Sequence, residues 1–464
     1  MQQSPQRPVN PRRGRRTKMQ IFKESYLPVL IAGVTALLVL ILVIGSIVRG
    51  VQKSLYNKEL RHQAEIAAQQ EQAQLDSQAE ATLSQASQMA SHFDYQGAMD
   101  LINAVPGNIE NYPALQTKYD ECSAARETLV LWDDPADILS LSFQLLVADP
   151  QRAYVDQVYS ISYNQNFVTV SEFQSILQQL YENGYILVSM DDIAIGAEPM
   201  ALYLPEGKKP LLLTQTNVNY YTYMTDGDGD RLPDKDGAGF ASRLILDANG
   251  NVTAEFITAQ GETVTGAYDL VPILESFVQT HPDFSYKKGK AVLAVTGYDG
   301  ILGYRTAPSA DEYFGAQHRQ LEIENATRIV EKLKSLGYVF ACYTYENEPY
   351  GGLTKEQIQQ EMDKWDAEVT PILGQTDLFV FSRNSDLAEP GTAYNDPRFD
   401  VLLDHGYTRF LGFGSGTQGW CYSSGAYFRM GRALVAGSSL ADNTFAGIFD
   451  AASVLDPTRG SLAE

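Results

Sequence analysis

The longest apolar run in the chain is Leu27–Val48, which contains no charged residue. A helix of this length extends about 33 Å at the helical rise of about 1.5 Å per residue, which is enough to cross the hydrocarbon core of a bilayer. A cleaved signal peptide is the alternative, but the run is too long for one and lacks a clean small-x-small exit site. The pattern therefore predicts a membrane-spanning helix over residues 26–49.

Polar positions dominate the next stretch, Val51–His92, which is rich in Ala, Gln, Glu and Ser and contains neither Pro nor Gly. Apolar positions are sparse there, so the pattern predicts a helical stalk over residues 50–92 that need not form a coiled coil. Two short amphipathic segments follow, Tyr95–Val105 and Pro113–Leu131, separated by a Pro- and Gly-containing turn. They predict a helical hairpin within residues 93–135.

Helical and strand-like patterns alternate from about residue 136 to residue 456. Apolar residues recur at helical spacing from Phe173 to Tyr181, Gly184 ends that helix, and Tyr185–Val188 has the composition of a strand. Such alternation favours a parallel sheet or barrel covered by helices. Further strands are predicted at Ile138–Val147, Ala291–Thr296, Tyr338–Cys342, Asp377–Phe381 and Thr408–Gly412, and further helices at Leu321–Leu336, Lys355–Leu373 and Leu402–His405. Lys209–Tyr221 is predicted as a buried strand that ends in polar residues and opens into a loop. Residues 457–464 are left as a C-terminal tail.

Charge is distributed unevenly along the 464 residues, which carry 35 basic and 57 acidic side chains. Seven basic residues lie within residues 1–25, so the positive-inside rule predicts a cytoplasmic tail there and places everything after Arg49 outside the cell. The acidic remainder argues against a nucleic-acid partner. The three cysteines, Cys122, Cys342 and Cys421, form no disulfide framework or zinc motif, which is common in exported bacterial domains.

Two segments combine a buried strand with a polar end: LLLTQTNVNYY at residues 211–221 and FACYTYENEPY at residues 340–350. The first resembles the first-motif strand of the polysaccharide deacetylase (NodB-homology) family, which usually ends in paired aspartates. The second resembles the second motif of that family, which usually carries two histidines. Residues 170–193 and 378–387 resemble neighbouring family segments. The resemblance implies an α/β fold, a distorted (β/α)7-type barrel of the carbohydrate-esterase deacetylase type, with its site at the carboxyl ends of the strands.

The resemblance also implies that the chemical groups of the family are replaced. The base position falls on Thr216, the metal-binding aspartate on Asn217, and the two histidines on Tyr343 and Asn347. Neutral Asn, Thr and Tyr side chains are poor ligands for a divalent metal. None of the five histidines, His62, His92, His281, His318 and His405, is predicted at a strand's carboxyl end. We therefore expect a degenerate member without catalytic residues or a catalytic metal.

Acidic residues recur at alternate positions in Asp226–Gly237 (DGDGDRLPDKDG). This spacing is typical of calcium loops, whose candidate ligands here are Asp226, Asp228, Asp230 and Asp234. Arg231 occupies the position of the usual turn glycine, and no Glu ends the loop. A structural Ca²⁺ site and a solvated acidic turn both fit this pattern.

Aromatic and charged residues cluster near the predicted strand ends, where sugar rings could stack or where tyrosines could fill the polar boundary of a barrel. The groove candidates are Tyr220, Tyr298, Asp299, Arg305, Tyr345, Arg383, Asp386 and Trp420. The sequence thus predicts a single-pass, membrane-anchored extracellular pseudoenzyme that binds or organises cell-wall or capsular polysaccharide. An active N-acetylglucosamine polymer deacetylase with a rearranged site and a protein-interaction scaffold remain as alternatives.

Overall fold

A computed structural model describes residues 18–106, 109–155, 158–414 and 417–459. The chain forms two units, which divide after Glu80. Most of the expected basic tail, residues 1–17, and the end of the expected C-terminal tail, residues 460–464, lie outside the described residues.

The first unit is helical throughout its described part. An α-helical turn at Lys18–Ile21 and a π-helical turn at Phe22–Tyr26 lead into one continuous helix, Leu27–Ser91, which extends beyond this unit. The helix is long and apolar enough, by length and composition, to cross a membrane. It contains both the predicted apolar span and the predicted polar stalk, with no break between them.

The second unit is built around seven parallel strands that close into a barrel. Each pairs with the next along the chain, and the last pairs with the first. The strands are β1 (Leu139–Phe143), β2 (Lys209–Thr216), β3 (Val292–Val295), β4 (Val339–Cys342), β5 (Leu378–Val380), β6 (Arg409–Phe413) and β7 (Phe428–Leu434). The predicted barrel is confirmed by these pairings.

Alternate residues of each strand face opposite sides of the barrel wall. Leu212, Ala294 and Val380 belong to the apolar cluster inside the barrel. Leu213 and Phe379, of opposite parity, pack in the larger cluster together with the surrounding helices. Because one set fills the interior and the other anchors the helices, the strand ends are held in fixed positions around a common centre.

The helix before β2 shows how local sequence sets the elements. Thr169 and Glu172 form a reciprocal capping box at the start of Val170–Glu182, and Gly184, at φ +81°, follows its end. The other α-helices of this unit are Tyr95–Asn103, Pro113–Glu127, Pro150–Tyr154, Ser160–Asn166, Met190–Ile193, Thr222–Thr225, Leu270–Thr280, Asp311–Phe314, Ala316–Ser335, Lys355–Glu368, Thr370–Leu373, Phe399–Asp404, Gly437–Ala441 and Ala451–Val454.

Shorter strands decorate the barrel. Tyr185–Leu187 pairs with the start of β2, and Cys421–Ser423 pairs antiparallel with β7. A separate antiparallel sheet contains Arg243–Leu246, Val252–Ile257 and Thr263–Gly266. Two further ladders join Leu129–Trp132 to Leu202–Pro205 and Ala194–Ile195 to Glu198–Pro199.

Candidate functional site

Strand β2 ends at the mouth of the barrel with two neutral side chains. The hydroxyl group of Thr216 donates to the carbonyl oxygen of Phe143 at 3.3 Å, and Nδ2 of Asn217 donates to Oε1 of Gln144 at 3.3 Å. Asn217 has φ +57°, a left-handed conformation that Asn tolerates better than most residues. The positions that the resemblance assigns to two acids are therefore bound into a neutral network between β1 and β2.

Tyr221 extends this network to β3. Its hydroxyl group lies 2.9 Å from Oδ1 of Asn217 and 2.7 Å from Oγ1 of Thr296. The Asn217 oxygen can only accept, so Tyr221 donates to it and Thr296 donates to Tyr221. Burial raises the pKa of Tyr221 well above its usual value, which keeps the phenol neutral.

Arg432, on β7, reaches across the barrel to β1 and to the end of β5. Its Nη1 donates to Oγ of Ser142 at 3.0 Å, and its Nη2 donates to the carbonyl oxygen of Phe381 at 2.7 Å. The guanidinium carbon lies 5.9 Å from the ring centre of Tyr343, one of the two positions that the resemblance assigns to histidine. The side chain of Arg432 was not predicted as part of the site, yet it links β7, β1 and β5.

Arg432 is almost completely buried, with 3% of its surface exposed. Burial lowers the pKa of its guanidinium, and the nearby Tyr343 phenol opposes that shift. Arginine nevertheless stays protonated in proteins. The mouth therefore contains a fixed positive charge, and no carboxylate of the described residues lies within ion-pair distance of it.

Asn347 lies in the loop after β4 with φ +57°. Its buried Oδ1 has no hydrogen-bond partner in the part of the chain that the structure describes. In the same loop, the backbone N–H groups of Tyr345 and Glu346 both donate to Oε2 of Glu361 at 2.9 Å. The loop is thus held by a carboxylate from the following helix rather than by a metal ligand set.

Several groove candidates are already engaged in hydrogen bonds or packing contacts within the fold. The hydroxyl group of Tyr220 donates to the buried carboxylate of Asp269, and that of Tyr345 donates to Glu368. Trp420 packs against Gly412 and Gly431, where a Cβ atom would collide with the indole. These aromatic side chains are therefore committed to the fold, and Tyr220 has no exposed face for a sugar ring.

The charged candidates fall into two groups. Asp299 accepts hydrogen bonds from the backbone and hydroxyl groups of Thr222, at 2.6 and 2.9 Å, and lies 3.5 Å from Nη1 of Arg305. Asp386 pairs with Nη2 of the buried Arg429 at 2.8 Å. By contrast, Arg383 is exposed, immediately after β5.

Tyr298 is exposed at the mouth and belongs to a group of neighbouring tyrosine rings. Its ring centre lies 5.2 Å from that of Tyr221, which in turn stacks on Tyr223 at 5.6 Å and 15°. Tyr223 and Tyr298 are 51% and 41% exposed. We call Tyr221, Tyr223 and Tyr298 the tyrosine shelf.

The acidic loop brings three of its four candidate ligands together. Carboxylate oxygens of Asp226, Asp228 and Asp234 all lie within 4.8 Å of one another, whereas Asp230 lies outside this group. Arg231 has φ +68°, the backbone conformation for which a turn glycine is usual. Calcium binding by this loop stays a prediction.

Within the described residues, these three aspartates are the only group of His, Cys, Asp or Glu side chains with converging ligand atoms. His405 follows helix Phe399–Asp404 and precedes the amino end of β6. Its Nδ1 lies 2.7 Å from Oδ2 of Asp366. His281 stacks on Phe277, and Nδ1 of His92 lies 3.0 Å from the carbonyl oxygen of Ser285. The residues at the mouth do not fit a divalent metal, because they offer neutral donors beside a guanidinium.

Comparison with known proteins identifies similar solved structures but no sequence family. No family model matches the chain, and no curated protein matches it. The Streptococcus pyogenes deacetylase PplD, in complex with acetate, is 14% identical, with a TM-score of 0.36 over 68% of this chain and 100% of that chain. A putative polysaccharide deacetylase from Bacillus anthracis is 11% identical, with a TM-score of 0.35 over 69% of this chain and 70% of that chain. Neither likeness assigns a substrate to this chain.

Proposed function

We propose that this chain is a membrane-anchored extracellular protein whose barrel binds cell-wall or capsular glycan without hydrolysing it. The observation that carries the proposal is the position of Arg432, whose buried guanidinium lies beside Tyr343 at the carboxyl end of β4. A deacetylase of the resembled family places a divalent cation at its site. A fixed positive charge repels such a cation, and strongly so in a low-dielectric interior.

The remaining groups at the mouth support the same conclusion. Thr216 and Asn217 supply no carboxylate to act as a base or to bind a metal. The nearby carboxylate of Asp299 is already engaged by Thr222 and Arg305. Metal-assisted hydrolysis needs a bound water with a lowered pKa, and these residues supply no centre that would lower it.

The tyrosine shelf supports binding to sugars. Tyr223 and Tyr298 present ring faces to solvent at the mouth, and aromatic faces stack on the apolar faces of sugar rings. Their hydroxyl groups add hydrogen-bonding capacity at the edge of the same surface. The shelf therefore offers a binding surface that needs no catalytic metal.

Anchoring follows from the apolar part of Leu27–Ser91. The basic residues before it favour a cytoplasmic amino terminus and an external barrel. Labelling of a Ser77→Cys variant with a membrane-impermeant maleimide tests this orientation, since Ser77 is exposed on the helix beyond the apolar span. We expect labelling on intact cells; labelling only after lysis would reverse the proposed orientation.

Metal content and acetate release test the absence of hydrolysis. We expect the purified full chain to contain far less than one equivalent of zinc and to release no more acetate from N-acetylglucosamine polymers than a Thr216→Ala variant. Retention of the chain on immobilised cell-wall glycan tests the binding activity. One equivalent of zinc together with acetate release above the variant would establish an active deacetylase instead.

A further inference from the structure

Two buried arginines lie on β7, and one of them is paired directly with a carboxylate. Arg429 and Arg432 are three residues apart, so their side chains leave opposite faces of the strand, and 0% and 3% of their surfaces are exposed. Arg429 forms an ion pair with Asp386 at 2.8 Å, while Arg432 makes hydrogen bonds to neutral oxygen atoms alone among the described residues. Arg432 is therefore a buried positive charge that Asp386 stabilises only at a distance, without a direct ion pair among the described residues.

An unmatched buried charge is costly, because the protein interior does not solvate it as water does. Nε of Arg432 also has no hydrogen-bond partner in the described part of the chain. Arg432 is thus a buried positive charge on a chain whose net charge is −22. A fixed positive charge attracts an anionic group that approaches it.

Arg383 adds a second, accessible positive charge at the same mouth. The carbonyl oxygen of Phe381, two residues before it, accepts the hydrogen bond from Arg432. Arg383 itself is exposed and has no ion-pair or hydrogen-bond partner within the described residues. It adopts φ +48°, a left-handed conformation that costs energy in a residue other than glycine.

Arg383 lies close enough to the tyrosine shelf to act on it electrostatically. Burial raises the pKa of the Tyr223 hydroxyl to about 12, and the charge of Arg383 opposes that shift. The ring of Tyr223 stacks on Tyr221, which is hydrogen-bonded to the ends of β2 and β3. The tyrosine shelf and Arg383 therefore both lie at the carboxyl ends of the barrel strands.

We propose that the glycan bound at this mouth is anionic, with a uronic acid ring that stacks on Tyr223 and Tyr298 and a carboxylate that pairs with Arg383. This inference rests on the proposed function and names its ligand class. A planar guanidinium matches a carboxylate through two parallel hydrogen bonds, which a lysine could not reproduce. Arg432 attracts the same carboxylate electrostatically from its buried position, without direct contact with the sugar.

Binding of an anionic and a neutral tetrasaccharide to the full chain in detergent, at about 0.15 M salt, tests the inference. We expect tetragalacturonate to bind at least about tenfold more tightly than neutral tetra-N-acetylchitotetraose, since a charge-assisted pair is worth about that factor. Arg383→Gln should remove most of this preference. Arg328→Gln, at an exposed arginine on helix Ala316–Ser335, should leave it unchanged.

The possible results separate the two levels of the proposal. Equal binding of both oligosaccharides, unaffected by Arg383→Gln, would overturn the anionic ligand and leave glycan binding standing. Binding of neither oligosaccharide would overturn both. Circular dichroism and the melting temperature of Arg383→Gln should match those of the parent chain, because the side chain is exposed and has no hydrogen-bond or ion-pair partner among the described residues.

Discussion

The carboxylate of Asp269 accepts a hydrogen bond from the hydroxyl group of Tyr220, and neither side chain is exposed to solvent. The same carboxylate accepts from the backbone N–H of Leu146 at 3.0 Å and from Nε2 of Gln215 at 2.8 Å. Burial raises the pKa of Asp269 to about 6, although these donors act in the opposite direction. Asp269 thus connects β2, the segment after β1 and the start of helix Leu270–Thr280.

This pKa predicts a specific dependence of stability on pH. The ordinary pKa of an aspartate is 3.8, so as pH rises from about 4 to about 6 the unfolded chain loses this proton before the folded chain does. The free energy of unfolding should therefore fall over that window by on the order of 3 kcal/mol from this group. Urea unfolding followed by tryptophan fluorescence measures the change.

Asp269→Asn is the matched variant for that measurement. The amide retains an acceptor oxygen for Tyr220 but cannot ionise, so the fall attributable to Asp269 should disappear. Burial also raises the pKa of Asp192 to about 6, so part of the pH dependence should remain in both proteins. Parallel curves for parent and variant between pH 4 and 6 would contradict the assignment.

Arg432→Met should separate stability from ligand binding. Replacing an unmatched buried charge by an apolar side chain of similar length is often neutral or stabilising, so we expect the free energy of unfolding to fall by no more than about 1 kcal/mol. Affinity for tetragalacturonate should fall. A large loss of stability would mean that Arg432 is satisfied within the folded chain.

Arg459→Met provides the contrast. Arg459 pairs with the buried Glu172 at 2.6 Å, with 2% and 0% of the two side chains exposed. Removing one partner leaves an uncompensated buried carboxylate, for which we expect a loss of about 3–5 kcal/mol. Comparable losses for the two variants would show that the distinction between matched and unmatched arginines does not hold.

Calcium should raise the melting temperature if the acidic loop binds it, and a chelator should reverse the rise. Asp228→Asn and Asp230→Asn form a matched pair, because each carboxylate accepts one backbone N–H, from Asp230 and Leu232 respectively. Only Asp228 belongs to the converging group. We expect Asp228→Asn to abolish the shift and Asp230→Asn to retain most of it, whereas no shift in the parent chain would rule out the site.

Tyr298→Ala should weaken glycan binding about threefold to tenfold, the scale of one lost aromatic contact. Tyr203→Ala is the control, since Tyr203 is similarly exposed but lies in the ladder with Leu129–Trp132, outside the shelf. Isothermal titration with the preferred oligosaccharide measures both. Equal effects of the two substitutions would remove the shelf from the binding site.

Much of the barrel could be predicted because its strands are short apolar runs followed by polar residues. Strand β7 escaped prediction, since Arg429, Gly431 and Arg432 interrupt its apolar pattern. The groups that stabilise the two buried arginines are distant in sequence. Asp386 forms an ion pair with Arg429, and the carbonyl oxygen of Phe381 accepts a hydrogen bond from Arg432. A local pattern contains no sign of them.

Several helices begin or end at different residues in the structure than in the prediction. The predicted helix Lys355–Leu373 is two helices, Lys355–Glu368 and Thr370–Leu373, with Pro371 at the start of the second. His318, predicted before a helix, lies inside Ala316–Ser335, which begins five residues before the predicted start. In the hairpin, the segments predicted at Tyr95–Val105 and Pro113–Leu131 end earlier, at Asn103 and Glu127.

The candidate site was predictable in position but not in detail. The polar end of β2 located the mouth, because parallel strands bring their carboxyl ends to one edge. Which aromatic rings remain exposed depended on partners elsewhere, as with Tyr345 and Glu368. Sequence spacing therefore found the opening, while hydrogen-bond partners decided which side chains are free to meet a ligand.

Closure of the barrel between Leu141 and Ala433 has a consequence for biosynthesis. A ribosome supplies β1 early, but its second neighbour, β7, emerges only near the end of translation. Until then one edge of β1 is an unpaired template, and pairings between such distant residues form slowly. An exported chain would therefore cross the membrane unclosed and complete its barrel on the far side, where protection from aggregation and proteolysis must come from outside the chain.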